Sequence, residues 1–164
     1  MTSPKIRTLT ETALLGVLLF VSGLFRLPSP LPGSEFQLSA PLAAAICGVF
    51  GFRIYLAAGI LASALTLLTG GGTVFHILIA MVYRLTVGAA FGILGPSAWF
   101  FFLAGPAGTL AARAVLSLVT GGGFIALAMA AVPGMIFTAI ASRPMARFLQ
   151  RVRHIRPAKS MREI

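Results

Sequence analysis

From Leu38 to Ser142 the chain carries only three charged side chains, Arg53, Arg84 and Arg113, and no carboxylate. A stretch of that length without acids cannot be the surface of a water-soluble domain, which needs polar groups spread over most of what it exposes. The rest of the composition agrees: 58% of the 164 residues are apolar and 10% are charged, against roughly 25% charged in soluble domains. The solvent this sequence requires is lipid. Helices satisfy their own backbone groups in a bilayer, so the expected fold class is an all-α integral membrane protein.

Composition also removes whole classes of function. The net charge is +10, yet no basic stripe interleaved with aromatics occurs before the C-terminal tail, which argues against nucleic acid. Cys47 is the single cysteine and the two histidines are far apart, so neither a disulfide framework nor a Cys/His metal cage is expected. The carboxylates are Glu11, Glu35 and Glu163, with no Asp. Neither a paired-carboxylate site nor a Ser-His-Asp arrangement can be assembled from them. The expectation is a non-enzyme without a cofactor.

The apolar run must fold back on itself, and glycine and proline show where. Breaks fall at Gly51-Phe52-Arg53, Gly70-Gly71-Gly72, Gly95-Pro96-Ser97 and Gly121-Gly122-Gly123, since such clusters disfavour helix. Ahead of them, the stretch PSPLPGSEFQ reads as a loop. The first apolar run reads as an uncleaved span, because Pro28, Pro30 and Pro32 follow it in place of a small-x-small cleavage site. A compact bundle of six transmembrane helices results, over 9–27, 37–52, 54–69, 73–94, 97–120 and 123–142. Residues 1–142 form the membrane domain and 143–164 a basic cytoplasmic tail. The second and third spans are short against the ~20 residues a bilayer core requires, so a re-entrant hairpin is the alternative there.

Charge sets the orientation. Six spans put Lys5, Arg7, Arg53, Arg143, Arg147, Arg151, Arg153, Arg156, Lys159 and Arg162 on one side and Arg26 on the other, which by the positive-inside rule makes both termini cytoplasmic. There is also an internal echo: LTLLTGGG from Leu65 and LSLVTGGG from Leu116 each close one span and open the next, either as a parallel repeat of hairpins or as Gly-rich turns alike by chance. Small residues recur every fourth position (Thr8, Thr12 and Gly16; Ala40, Ala44 and Gly48; Ala58 and Ala62; Ala126, Ala130 and Gly134). That spacing lets helix backbones approach where lipid offers no hydrophobic drive.

This order of features, a basic N-terminus, one span, a Pro/Gly loop and then QLSAPLAAAICGVFGFRIYLAAGILASALTLLTGGGTVFHILIAMVYRLTVGAAFGIL, resembles the substrate-binding S components of energy-coupling factor transporters, which import vitamins and related nutrients into prokaryotes. The resemblance covers about residues 5–142 and rests on Gln37 to Pro41, the Gly51-Phe52-Arg53 turn and the LLTGGGT turn. Phe52 stands where the family often has proline. The first span lacks the family's Ala-x-x-x-Ala docking pattern, and Thr12 and Gly16 are its nearest small pair. The resemblance implies a prokaryotic inner-membrane protein, a pocket opening outward beneath the first loop, and partnership with a coupling transmembrane subunit and ATPase subunits.

Several side chains could serve such a pocket. Arg113 lies ~10 Å below the outer end of its span, on one face with Ser117 and Thr120; it faces either a cavity or the outer headgroups by snorkelling. Arg84 sits deeper, where backbone carbonyls, a bound anion or a partner subunit must neutralise it. His76 shares its face with Ala80, Arg84 and, further out, Thr73, as an interhelical hydrogen-bonder or a ligand contact. Glu35 and Gln37 either cap the pocket or are solvated. Trp99 and Tyr55 read as aromatic-belt anchors, and the basic tail as a contact with lipid or with the coupling subunit. No Gly-x-x-x-x-Gly-Lys phosphate loop is present, so energy must come from another chain. The expected function is capture, from the outer side, of a vitamin or related small nutrient that carries negative charge or strong acceptors. A structural or assembly protein and a small secondary carrier are the alternatives.

Overall fold

A computed structural model describes residues 4–28 and 35–154, with residues 26–28 and 35–37 placed by their backbone. Six helices follow in order: α1 (Pro4–Leu24), α2 (Ser39–Phe50), α3 (Phe52–Leu68), α4 (Val74–Leu94), α5 (Ala98–Thr120) and α6 (Phe124–His154). Every break expected from glycine and proline is a helix boundary. Gly51 serves both as the C-cap of α2 and the N-cap of α3, at φ 87°. Ser97 opens α5 by accepting the Phe100 backbone N–H at 3.2 Å, which satisfies one of the orphan donors of a helix start.

The internal echo extends to atomic detail. Gly70 and Gly121, equivalent in the two GGG turns, adopt φ 71° and 70°, a left-handed conformation open to glycine and costly for a residue with a Cβ. Thr69 and Thr120, just before them, donate to the carbonyls of Leu65 and Leu116 at 2.9 and 2.8 Å.

Three features depart from the sequence reading. The loop between the first two helices contains a short antiparallel hairpin, β1 (Arg26–Pro28) with β2 (Glu35–Gln37), pairing Leu27 with Phe36. Helix α1 starts at Pro4, a position that needs no N–H. Helix α6 has no end at 142 but continues for 31 residues to His154 through Pro133 and Pro144, so Arg143, Arg147, Arg151 and Arg153 project from a helix.

Four helices (α1, α4, α5 and α6) are long and apolar enough to cross a membrane, which fits a multi-pass membrane protein. The other two have 12 and 17 residues. The shortness of α2 has a packing reason. It touches α1, α3, α4, α5 and α6, and every residue from Pro41 to Cys47 is buried. A helix enclosed by its neighbours need not match the thickness of the lipid. Around it, α1 lies along α3, and α4, α5 and α6 pack in succession, whereas α3 and α4 touch sparingly although they are consecutive.

Close approach around α2 depends on missing side chains. A Cβ added at Gly48 would lie 2.4 Å from the Phe101 ring and 3.2 Å from Phe100, in an edge-to-face cluster that joins Phe91, Phe100 and Phe101 at centroid separations of 5.4 and 5.2 Å. Gly48→Val should destabilise the protein by ~1–3 kcal/mol through overpacking, seen as a lower melting temperature in detergent. Gly92→Val, where nothing stands within 4 Å of an added Cβ, should be close to neutral. Equal melting temperatures for the two variants would contradict this packing.

Candidate functional site

The sparse contact between α3 and α4 marks a cavity of about 600 Å³ to which all six helices contribute. Its lining runs from Gly71 and Gly72 at the first GGG turn down to Tyr55. Exposure falls along the same path, from exposed His76 and Gly71 to buried Ala62, Ser63 and Tyr55, so the mouth lies at the GGG end. At ~1.5 Å of rise per residue, Arg113 sits ~10 Å below Thr120, Arg84 ~15 Å below Val74, and Tyr55 ~20 Å below Leu68. The walls between are apolar and include Phe20, Phe75 and Phe137.

Arg84 and Arg113 both line this cavity, and its lining contains no carboxylate. Arg84 crosses the α3–α4 gap: its Nη1 donates to Ser63 Oγ at 2.8 Å and approaches Met81 Sδ at 3.5 Å. A Cβ on Gly59 would fall 2.3 Å from Arg84 Nε, so the glycine provides the seat in which the side chain lies. Ser63 and Met81 are neutral and cannot cancel its charge. Half-buried Arg113 has no hydrogen bond or ion pair among the described residues. The one ion pair found among them joins Arg7 and Glu11 at 3.1 Å on α1. A largely apolar chamber holding two uncompensated cations is suited to a small molecule with an apolar body and an anionic or strongly accepting group.

Comparison with known proteins bears on what such a chamber serves. The chain is 43% identical over 141 residues to Protein BioX of Lysinibacillus sphaericus, a match spanning 86% of this chain and 85% of the relative. The chain belongs to the BioX family. No family model matches it, and no solved structure matches it. The match extends over most of both chains.

In this BioX-family chain the cavity gathers some of the residues singled out from sequence and leaves out others. Arg113, Arg84 and His76 line it. His76 is at the rim and exposed, and it caps its own helix: the Thr73 backbone N–H donates to Nδ1 at 3.3 Å while Thr73 Oγ1 accepts the His76 backbone N–H at 3.4 Å. That reciprocal cap replaces the interhelical bond expected of a buried histidine. Thr73, Ser117 and Thr120 are absent from the lining among the described residues, because their hydroxyls finish helix ends; Ser117 Oγ donates to the Gly122 carbonyl, and Thr120 Oγ1 to Leu116. The face Arg113 shares with the cavity is that of Thr109, Ala112 and Leu116 instead. Glu35 and Gln37 are the ends of β2; their side chains lie outside the described set.

Two further expectations change. Gly16, half of the small pair considered for docking, is buried, and a Cβ there would meet Leu61 at 2.7 Å and the Ala58 carbonyl at 3.1 Å; it is used for packing α1 against α3. Thr12 Oγ1 is engaged with the Thr8 carbonyl at 2.8 Å. Tyr55 is no interface anchor: it is 0% exposed, whereas Trp99, at 67%, has the exposure a belt residue needs. The sequence reading missed Tyr55, Gly59 and Ser63 as a set. Their spacing of four places them on one face of α3, the face against which Arg84 lies.

Proposed function

We propose that this protein is the membrane-embedded, non-enzymatic substrate-binding subunit of an energy-coupling factor importer, with six spans, both termini cytoplasmic, and α2 enclosed within the bundle. The observation that carries the reading is a chamber lined by all six helices, open at the GGG end, with two guanidinium groups and no carboxylate in its lining. An assembly protein whose helices only pack has no use for such a space or for the cost of Arg in an apolar span, ~2.5 kcal/mol or more on insertion scales. The ligand is a small anionic nutrient. Membership of the BioX family makes biotin-related compounds the first to test. With no phosphate-binding loop in the chain, a coupling transmembrane subunit and ATPase subunits supply the energy, and the basic helical extension of α6 is placed to meet them or the anionic lipid surface.

Mass spectrometry of small molecules released from the purified protein is the direct test. An anionic, vitamin-sized compound retained in stoichiometric amount is the expected result. A protein that releases nothing and binds neither biotin nor related carboxylates would overturn the assignment.

A further inference from the structure

The floor of the cavity holds a polar group with nothing to bond to. Tyr55 is 0% exposed, it lines the chamber, and its Oη has no hydrogen-bond partner among the described residues. Buried hydroxyls are nearly always paired, because an unmade bond retains the full desolvation cost. The neighbouring side chains have their own partners. Tyr83 donates to the Ala40 carbonyl at 3.2 Å, and Ser63 accepts from Arg84. Tyr83 and Arg84 line the same chamber as Tyr55. A guanidinium has five N–H donors; Nη1 makes the contacts with Ser63 and Met81, and no bond from Nη2 is found among the described residues.

We propose that Tyr55 and Arg84 form a recognition subsite at the cavity floor, where the Tyr55 hydroxyl and the remaining Arg84 donors converge on an sp² oxygen of the ligand's leading end, a carboxylate or a urea- or amide-type carbonyl. The inference rests on the small-molecule reading above and deepens it, naming the group read at the bottom of the chamber. Gly59 and Ser63 act as positioning residues: the first leaves the space in which Arg84 lies against α3, and the second fixes Nη1. Because Tyr55, Gly59 and Ser63 follow one another at every fourth position, one face of α3 carries the hydroxyl, the seat and the anchor. The apolar stretch of wall above this subsite receives the ligand's hydrocarbon body, so a ligand must present its acceptor end inward.

Tyr55→Phe tests this with two measurements, using biotin as probe because it carries both a carboxylate and a urea carbonyl. In the ligand-free protein the variant should melt at the same temperature or a few degrees higher, since an unpaired polar atom has been removed. Biotin affinity, by isothermal titration, should fall about tenfold. A lower melting temperature for the ligand-free variant would show that the hydroxyl is bonded within the protein, and would overturn the proposal. Unchanged biotin affinity would also overturn it, while leaving the small-molecule reading intact. If the wild-type protein binds no biotin and releases no small molecule, the reading itself fails and the subsite with it.

Discussion

Liposomes containing this chain alone are expected to bind a radiolabelled ligand but not to accumulate it. Concentrative uptake should appear only when a coupling transmembrane subunit and its ATPase are reconstituted with it and ATP is supplied inside. The physical reason lies in what the chain lacks: no loop in the sequence can cradle a nucleotide's phosphates, and within the described residues no ladder of ionisable groups crosses the bundle to carry protons or sodium. The effect is close to all-or-none, limited by passive leak. Sustained accumulation by the isolated protein, dissipated by an ionophore, would replace the importer-subunit reading with that of a secondary carrier.

Arg113→Ala should lower ligand affinity by a factor of roughly 30, the equivalent of about 2 kcal/mol for a charge-assisted hydrogen bond. Arg113→Lys should recover part of the loss, since a point charge attracts the same anion without the bidentate fork. The control is Arg143→Ala: Arg143 is exposed and lies beside Pro96 and Ala98 in a different, smaller cleft, so it contributes to the general field and not to the chamber. Isothermal titration of the three variants separates the contributions. If Arg113→Ala and Arg143→Ala behave alike, the Arg113 guanidinium snorkels to the headgroups and the anion is held elsewhere.

How much of this was legible in the sequence depended on whether the signal was local. The four helix breaks from α2 onward were, because Gly51, Gly70, Gly95 and Gly121 mark them by backbone chemistry that no packing can reverse. The hairpin at Arg26–Pro28 was not, since three residues per strand fall below any periodicity and Pro28 argues against pairing. The extent of α6 was obscured by Pro144 and by the change from apolar to basic residues, a change of solvent that does not end a helix. The two arginines were legible as misfits in an apolar run. Tyr55 was not, because a tyrosine near a helix end can equally anchor at an interface, and only the packing of α3 against α4 decides. The hydroxyls of Thr73, Ser117 and Thr120 lie on the faces that helical spacing assigns them. Spacing does not reveal that the adjoining turn has already engaged them.

The latch at the far end of α6 has a consequence for the order in which the protein can be made. Arg153 Nη1 donates to the Val49 carbonyl at 2.8 Å, and its guanidinium lies 5.2 Å from the centre of the Phe50 ring, so a residue of the last helix closes the exposed carbonyl end of the second. A ribosome delivers Val49 long before Arg153. During that interval the twelve residues of α2, too short to be held by lipid alone, have α1 and α3 beside them but lack α6, their most extensive packing partner, and their terminal bond. Assembly is therefore completed from the C-terminal side: the central helix is the second to be synthesised and the last to be secured.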